Sequence, residues 1–501
     1  MKFIYYDLMF LVLFCLFVAL FLLKHKKNVV VEGKIFILYK TQFGIWLINK
    51  IGGNKSKRSK KFFNVLSVII IFSGIILMFA VIYMFYQLIK LLISIPALVG
   101  VIKIPPIMPL NPYLPQMFKT DYLPPLYFTY WIIAIGIVAI FHEFFHGIFS
   151  KNAGVKVNST GFGFLGPFLA AFVEPDEKQL QKKPIKKQLA VMAAGSFANL
   201  LLFIIFSFIL VGFFFSFYAP AGINYNTYSL DRVNLKDIRS IGGFSLNQNQ
   251  LTNLTSFNLF VNNITNSTKD NLIVNIGGVN ISLAKILTEN STYYYNLDVL
   301  KSDILIIQAT KMNNTFISYF DSPALKSNLS GSILKINGFA VTNAVKLKQE
   351  LKKYHAGDSV LVQTTDGNYS LVLEKNPRNL SEVYIGVDYL VVKRGGLMGL
   401  IDKTILKFKN PVIYYKAKGT DFFNGLIVFI YNLLLWLVLI NFSVALVNML
   451  PLGMFDGGRF FYLAIFGITK SKKTATILYR IATWIILITF VLLTVFWFMN
   501  M

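Results

Sequence analysis

Apolar residues in this chain fall mostly into long unbroken runs, and only the middle of the sequence alternates. Residues 3–23, 63–103, 127–150, 189–215, 424–450 and 475–499 each approach or exceed the roughly 20 residues that cross a bilayer as a helix. They predict six transmembrane helices. The run 63–103 is longer than one perpendicular span needs, so it predicts a tilted helix or one continuing beyond the hydrocarbon. The stretch from Pro105 to Pro125 is too rich in proline for regular helix. Residues 216–398 are polar and Asn-rich, with the short alternating apolar runs of strands. Segment 399–423 is amphipathic and carries lysines, which predicts a helix on the membrane surface over 399–422.

Charge orients these elements. The loop 24–61 holds eleven Lys or Arg against one acid, Glu32, and the loop after the third run holds seven lysines. The positive-inside rule places both loops in the cytoplasm, and puts the two termini and residues 216–398 outside. Nine N-x-S/T sequons, from Asn253 to Asn379, fall within that outside region, where glycosylation takes place. Lys24, Lys26 and Lys27 directly follow the first run, the flank of a retained anchor and not of a cleaved signal peptide. Within the first basic loop, Val29–Val31 and Ile35–Tyr39 read as short strands about Gly33.

Composition narrows the class. Of 501 residues, 55% are hydrophobic and only 14% charged, below the quarter usual for soluble domains. A soluble enzyme, a disordered regulator and a collagen-like fibre are excluded. The net charge of +26 gathers in loops and comes with no recognition motif, so it implies no nucleic-acid partner. Cys15 is the sole cysteine, which leaves neither an intramolecular disulfide nor a Cys-based zinc site.

Within the third run stands His142-Glu143-Phe144-Phe145-His146. On a helix His142 and His146, four apart, share one face and can reach one metal, with Glu143 placed to take a proton from water. Two of only four histidines make this pattern. The alternative is a pair of polar residues packed in a bundle, but ionisable groups inside a membrane are costly and mark function. A catalytic zinc site takes three protein ligands. His25 lies in the basic loop and His355 in the outside region, both suited to a surface. Asp456, in Asn448-Met449-Leu450-Pro451-Leu452-Gly453-Met454-Phe455-Asp456-Gly457-Gly458, follows a proline that breaks the fifth run. A broken helix can hold a carboxylate at membrane depth, and the same pattern also suits a simple helix-ending turn.

These two motifs in this order resemble the site-2 protease family of intramembrane zinc metalloproteases. Ala193-Ala194-Gly195-Ser196-Phe197-Ala198-Asn199 is similar to a third family element, with Ser196 where proline is usual. The resemblance covers residues 127–215 and 424–467. It implies that His142, His146 and Asp456 bind zinc, that Glu143 is the catalytic acid and base, and that Asn448 and Asn199 contact substrate. It also implies that the extended, glycine-punctuated stretch from Gly161 to Val173 offers an edge to an unwound substrate. In the outside region, Ser322-Pro323-Ala324 and the strand-like Gly331–Ile336 ending in Asn337-Gly338 resemble a PDZ module over about 322–390. Its carboxylate-binding loop is not recognisable, which favours a steric filter over peptide capture.

The sequence thus predicts a polytopic α-helical membrane protein with an inserted, extracytoplasmic, mainly β, PDZ-like domain. Its parts are an anchor and basic loop (1–61), a span and proline-rich segment (62–126), a first catalytic part (127–215), the β domain (216–398), the surface segment, and a second catalytic part (424–501). The expected activity is zinc-dependent cleavage of membrane-spanning substrates in regulated intramembrane proteolysis, in a plasma membrane of prokaryotic, archaeal type. The active site is expected near the cytoplasmic side. The alternatives are an inactive substrate-binding relative and a metal transporter. An inactive relative would typically lack Glu143 or a ligand, and a transporter would want carboxylates along a pathway.

Overall fold

Six helices long and apolar enough to cross a membrane occur among the described residues of the computed structural model. The structure describes residues 3–26, 29–32, 36–54, 56–94, 111–118, 124–165, 168–247, 254–264, 271–276, 279–297, 299–300, 315–389 and 408–500. The long helices are α1 (Phe3–Lys24), α3 (Lys57–Ser94), α4 (Phe128–Asn152), α5 (Ile185–Phe217), α6 (Asp421–Val447) and α8 (Lys472–Asn500). Two shorter ones, α2 (Ile45–Gly52) and α7 (Asp456–Thr469), lie between them in sequence. The chain is a multi-pass membrane protein. Helix α3 has 38 residues, about 57 Å at 1.5 Å per residue, which exceeds a hydrocarbon core of about 30 Å. Residues 95–103 of its predicted run, and most of the stretch from Pro105 to Pro125, lie outside the described residues.

The chain divides into two units, Met1–Ser216 with Gly419–Met501, and Phe217–Lys418. In the first, the core lies among α3, α4, α5, α6 and α7, with Ile70, Phe149, Ala193, Ala445, Met449 and Phe460 all buried. Small residues from Ala190 to Ala198 on α5 let neighbouring helices approach closely. The start of α4 is capped from another helix. Asp7 of α1, 1% exposed, accepts hydrogen bonds from the Phe128 and Thr129 amides at 2.8 and 2.9 Å and from the Tyr113 hydroxyl at 2.6 Å. A helix N-terminus leaves such amides without partners, and a carboxylate there also meets the favourable end of the helix dipole. Losing a cap of this kind costs about 1 kcal/mol.

A four-stranded antiparallel sheet packs on α4. Its strands β1 (Val29–Glu32), β2 (Phe36–Thr41), β3 (Val157–Leu165) and β4 (Phe168–Pro175) pair in that order, so β4 is an edge. Helix α2 seats Ile48, 1% exposed, against Gly147, directly after the HEFFH stretch.

The second unit is all antiparallel sheet with short helices. One sheet orders its strands 368–372, 359–364, 333–336, 218–223 and 413–417. Asn337 and Gly338 both take positive φ and join Ile333–Ile336 to Phe339–Ala340 by a two-residue turn, as an Asn-Gly pair favours. Residues 230–320 contribute a second sheet, of seven strands. The surface helix expected over 399–422 is corrected where it is described. Ile413–Ala417 is a strand paired with Tyr218–Ile223, so the unit runs on to Lys418, while 399–407 lie outside the described residues. An amphipathic run of five residues fits either period, and the partner strand is about 190 residues earlier in the chain.

Candidate metal centre

Helix α4 carries His142 and His146 one turn apart, 7% and 8% exposed. The second half of the site comes from the break between α6 and α7. Helix α6 ends at Val447 with Asn448 as its C-cap, Pro451 prevents its continuation, and α7 begins at Asp456. The break is folded tightly on itself: the Gly457 amide donates to the Asn448 carbonyl at 2.7 Å. A Cβ on Gly457 would stand 2.3 Å from the Met449 carbonyl carbon, and one on Gly458 2.3 Å from the Leu452 oxygen. Only glycine fits this crossing. From α8, the Thr483 hydroxyl holds the Pro451 carbonyl at 3.1 Å.

This fold delivers Asp456 Oδ2 to 3.1 Å from His142 Nε2 and 3.1 Å from His146 Nε2, with the two Nε2 atoms 3.1 Å apart. Ligand atoms of a tetrahedral ion with bonds of about 2.0–2.2 Å lie roughly 3.3–3.6 Å from one another. The triangle therefore fits a small divalent cation, and its His–His–carboxylate donor set suits zinc. It is the group among the described residues that could hold a metal. Helix α5 shapes the other side. A Cβ on Gly195 would come within 2.4–2.5 Å of His146 Nε2 and His142 Nε2, so the pair can converge only over a glycine. His146 Nδ1 lies 2.7 Å from the Val191 carbonyl, which can only accept, so that nitrogen carries a proton and Nε2 is left as the ring atom that could bind an ion.

Glu143 points elsewhere. Its Oε2 accepts the Val173 amide at 2.9 Å, on the edge of β4 away from β3. It is thus beside the cluster without belonging to the triangle. Nearby on the sheet, the Ser159 hydroxyl and the Lys40 ammonium hold the Glu174 carboxyl below the usual carboxylate range. Arg459 of α7 makes a two-pronged pair with Glu177, at 2.7 and 2.9 Å.

Of the remaining candidates, Asn448 places Nδ2 3.4 Å from His142 Nε2. Asn199 is fully buried, with Nδ2 3.0 Å from His142 Nδ1. His25 bonds its own helix through the Phe21 carbonyl, and His355 is 93% exposed. Sequence reasoning missed the Val191 carbonyl and the Val173 amide, since backbone groups carry no residue signature. It also passed over Asp7, whose signal was available: a single acid in an apolar span.

Comparison with known proteins gives one family model and one relative. A model described as peptidase family M50 matches residues 130–489, taking in both ligand-bearing segments. An uncharacterized protein of Methanocaldococcus jannaschii is 32% identical over 196 residues, which are 38% of this chain and 47% of that protein. The chain thus spans about half the length of the curated relative it matches.

Proposed function

The chain belongs to peptidase family M50, the site-2 protease family, and we propose that it is an intramembrane zinc metalloprotease that hydrolyses peptide bonds in or near transmembrane segments. The observation that carries this reading is the triangle of His142, His146 and Asp456, closed at 3.1 Å by residues more than 300 positions apart, with Glu143 beside it. These three side chains would hold the ion. When bound, zinc supplies Lewis acidity, polarising a carbonyl and lowering the pKa of water.

Glu143 is the general base in this reading. It accepts a proton from the attacking water and returns it to the leaving amine. Its hydrogen bond to Val173 joins the base to the open edge of β4. In a paired strand alternate residues face the same side, so the backbone of Ala171 looks out from that edge with Val173. A substrate helix must unwind before its peptide bond is exposed, and an unwound segment can pair along this edge and run its backbone past Glu143. Asn448, beside His142, is placed to donate to such a segment.

The substrates are membrane-tethered proteins, released by regulated intramembrane proteolysis. The lysine-rich loops support a cytoplasmic position for α2 and the basic ends of the spans, and an extracytoplasmic one for the β domain at a plasma membrane. There the sequence around Ile333–Val372 supports a PDZ-like module that restricts access to the site. The test is to incubate the purified protein, in liposomes, with a panel of single-span reporters. Cleavage that a chelator stops and zinc restores supports the reading. A zinc-loaded protein that cuts none of them would point to a binding-only relative.

A further inference from the structure

Three successive turns of α5 face the two histidines. Val191, Gly195 and Asn199 stand at i, i+4 and i+8, a single helix face. The first gives its carbonyl to His146 Nδ1 at 2.7 Å, the second leaves room where the imidazoles meet, and the third brings its amide to 3.0 Å from His142 Nδ1. Asn199 is 0% exposed, and its Oδ1 has no hydrogen-bond partner among the described residues. We propose that Asn199 is a positioning residue for the metal centre: it does for His142 what the Val191 carbonyl does for His146. It holds the imidazole plane and, when a metal is held through Nε2, accepts the Nδ1 hydrogen with its side-chain oxygen. The inference rests on the metal-site reading above.

The chemistry requires some acceptor at that place. A histidine that offers Nε2 to a metal keeps its hydrogen on Nδ1, and that hydrogen needs an oxygen to orient the ring. In this structure the Asn199 nitrogen faces Nδ1, while Nε2 of the same ring faces Asp456. That is the arrangement for a ring with its hydrogen on Nε2. Turning the amide half-way round about its last bond exchanges nitrogen for oxygen at nearly constant shape. An amide can therefore serve the ring in both forms, as a backbone carbonyl or a carboxylate cannot. With no solvent exposure, Asn199 also lies out of reach of a substrate in this conformation, which separates it from half-buried Asn448.

The test uses the full-length protein. Zinc affinity is measured by competition with a chelator of known affinity, and the visible spectrum is recorded with cobalt in place of zinc, for wild type, Asn199→Asp and Asn199→Leu. The aspartate keeps an acceptor and is expected to match wild type. The leucine is expected to weaken zinc binding by about 10–100-fold, the usual consequence of losing such a partner, and to change the cobalt spectrum. Wild-type affinity and spectrum in Asn199→Leu would overturn the proposal. Wild type that binds no zinc would overturn the metal-site reading itself. Should the leucine variant misfold, wild type alone decides. With four histidines in the chain, nitrogen-15 labelling of histidine resolves each ring. A zinc-bound His142 bearing hydrogen on Nδ1 supports the role, and one lacking it refutes the role.

Discussion

The two units bury polar groups for different ends. In the helical unit the lipid-facing surface is apolar, and the ionisable groups drawn inside meet designated partners: Asp7 on the start of α4, and His142, His146 and Asp456 on one another. In Phe217–Lys418 the strands alternate as they do in soluble proteins, with Val360, Val362 and Thr364 inward and their neighbours outward. There the buried acid Glu350, near the end of the helix Ala344–Leu351, pairs with exposed Lys353 in the turn just after it. Ion pairs of that exposed kind contribute little, whereas an ionisable group taken into a membrane is retained where it meets dedicated partners, in a cap or in a site. Among the described residues, the group that could hold a metal lies in the helical unit, and the proposed function assigns the reaction to that unit and control of access to the β unit.

The largest expected effect breaks the first half of that contrast. Gly195→Val puts a side chain where the two imidazoles converge, so zinc content and cleavage should both be lost. Hydrogen-exchange protection of Ile333–Val372 should stay as in wild type. Collapse of protection in both units would mean that the site is not a local feature of the helices. A smaller effect follows from Val173→Pro, which removes the amide that holds Glu143 while an outward-facing edge position tolerates proline. Cleavage should fall about tenfold or more with zinc content unchanged, since modest misplacement of a catalytic group costs up to about a hundredfold. Zinc assay and reporter kinetics on one preparation distinguish this from general damage. The smallest effect on the metal should come from excising Phe217–Lys418. The amide of Lys418 donates to the Phe217 carbonyl at 2.9 Å, so a short linker can join the cut ends. Zinc stoichiometry should be unchanged and pre-trimmed substrates still cleaved. Loss of zinc from the inserted variant would show that the β unit builds the site.

How much of this was legible depends on the range of the signal. Span-length apolar runs marked the six long helices, and Asn337-Gly338 marked its own hairpin turn, because each is local. HEFFH displays two ligands at helical spacing, and the glycines after Asp456 announce a close backbone crossing. Helix α2 was hidden: it has eight residues inside a basic loop, and its anchor, Ile48 on Gly147, spans about a hundred positions. Ile413–Ala417 was misread for the same reason, since its strand identity is conferred by Tyr218–Ile223. The backbone partners of His146 and Glu143 were the least legible. A carbonyl at Val191 and an amide at Val173 belong to every residue alike, and only the fold selects which ones matter.

The central claim is that two separate helix segments supply one metal site in which Glu143 works on the proton and Asp456 on the metal. The most direct measurement is zinc per protein by elemental analysis, paired with cleavage of a transmembrane reporter, in Glu143→Gln and Asp456→Ala. Glu143→Gln should keep zinc at the wild-type level while cleavage falls about 10²–10⁴-fold, the size of a general acid–base contribution. Asp456→Ala should lose zinc and activity together, since two histidines alone bind the ion weakly. Full zinc in Asp456→Ala with zinc lost from Glu143→Gln would contradict the account.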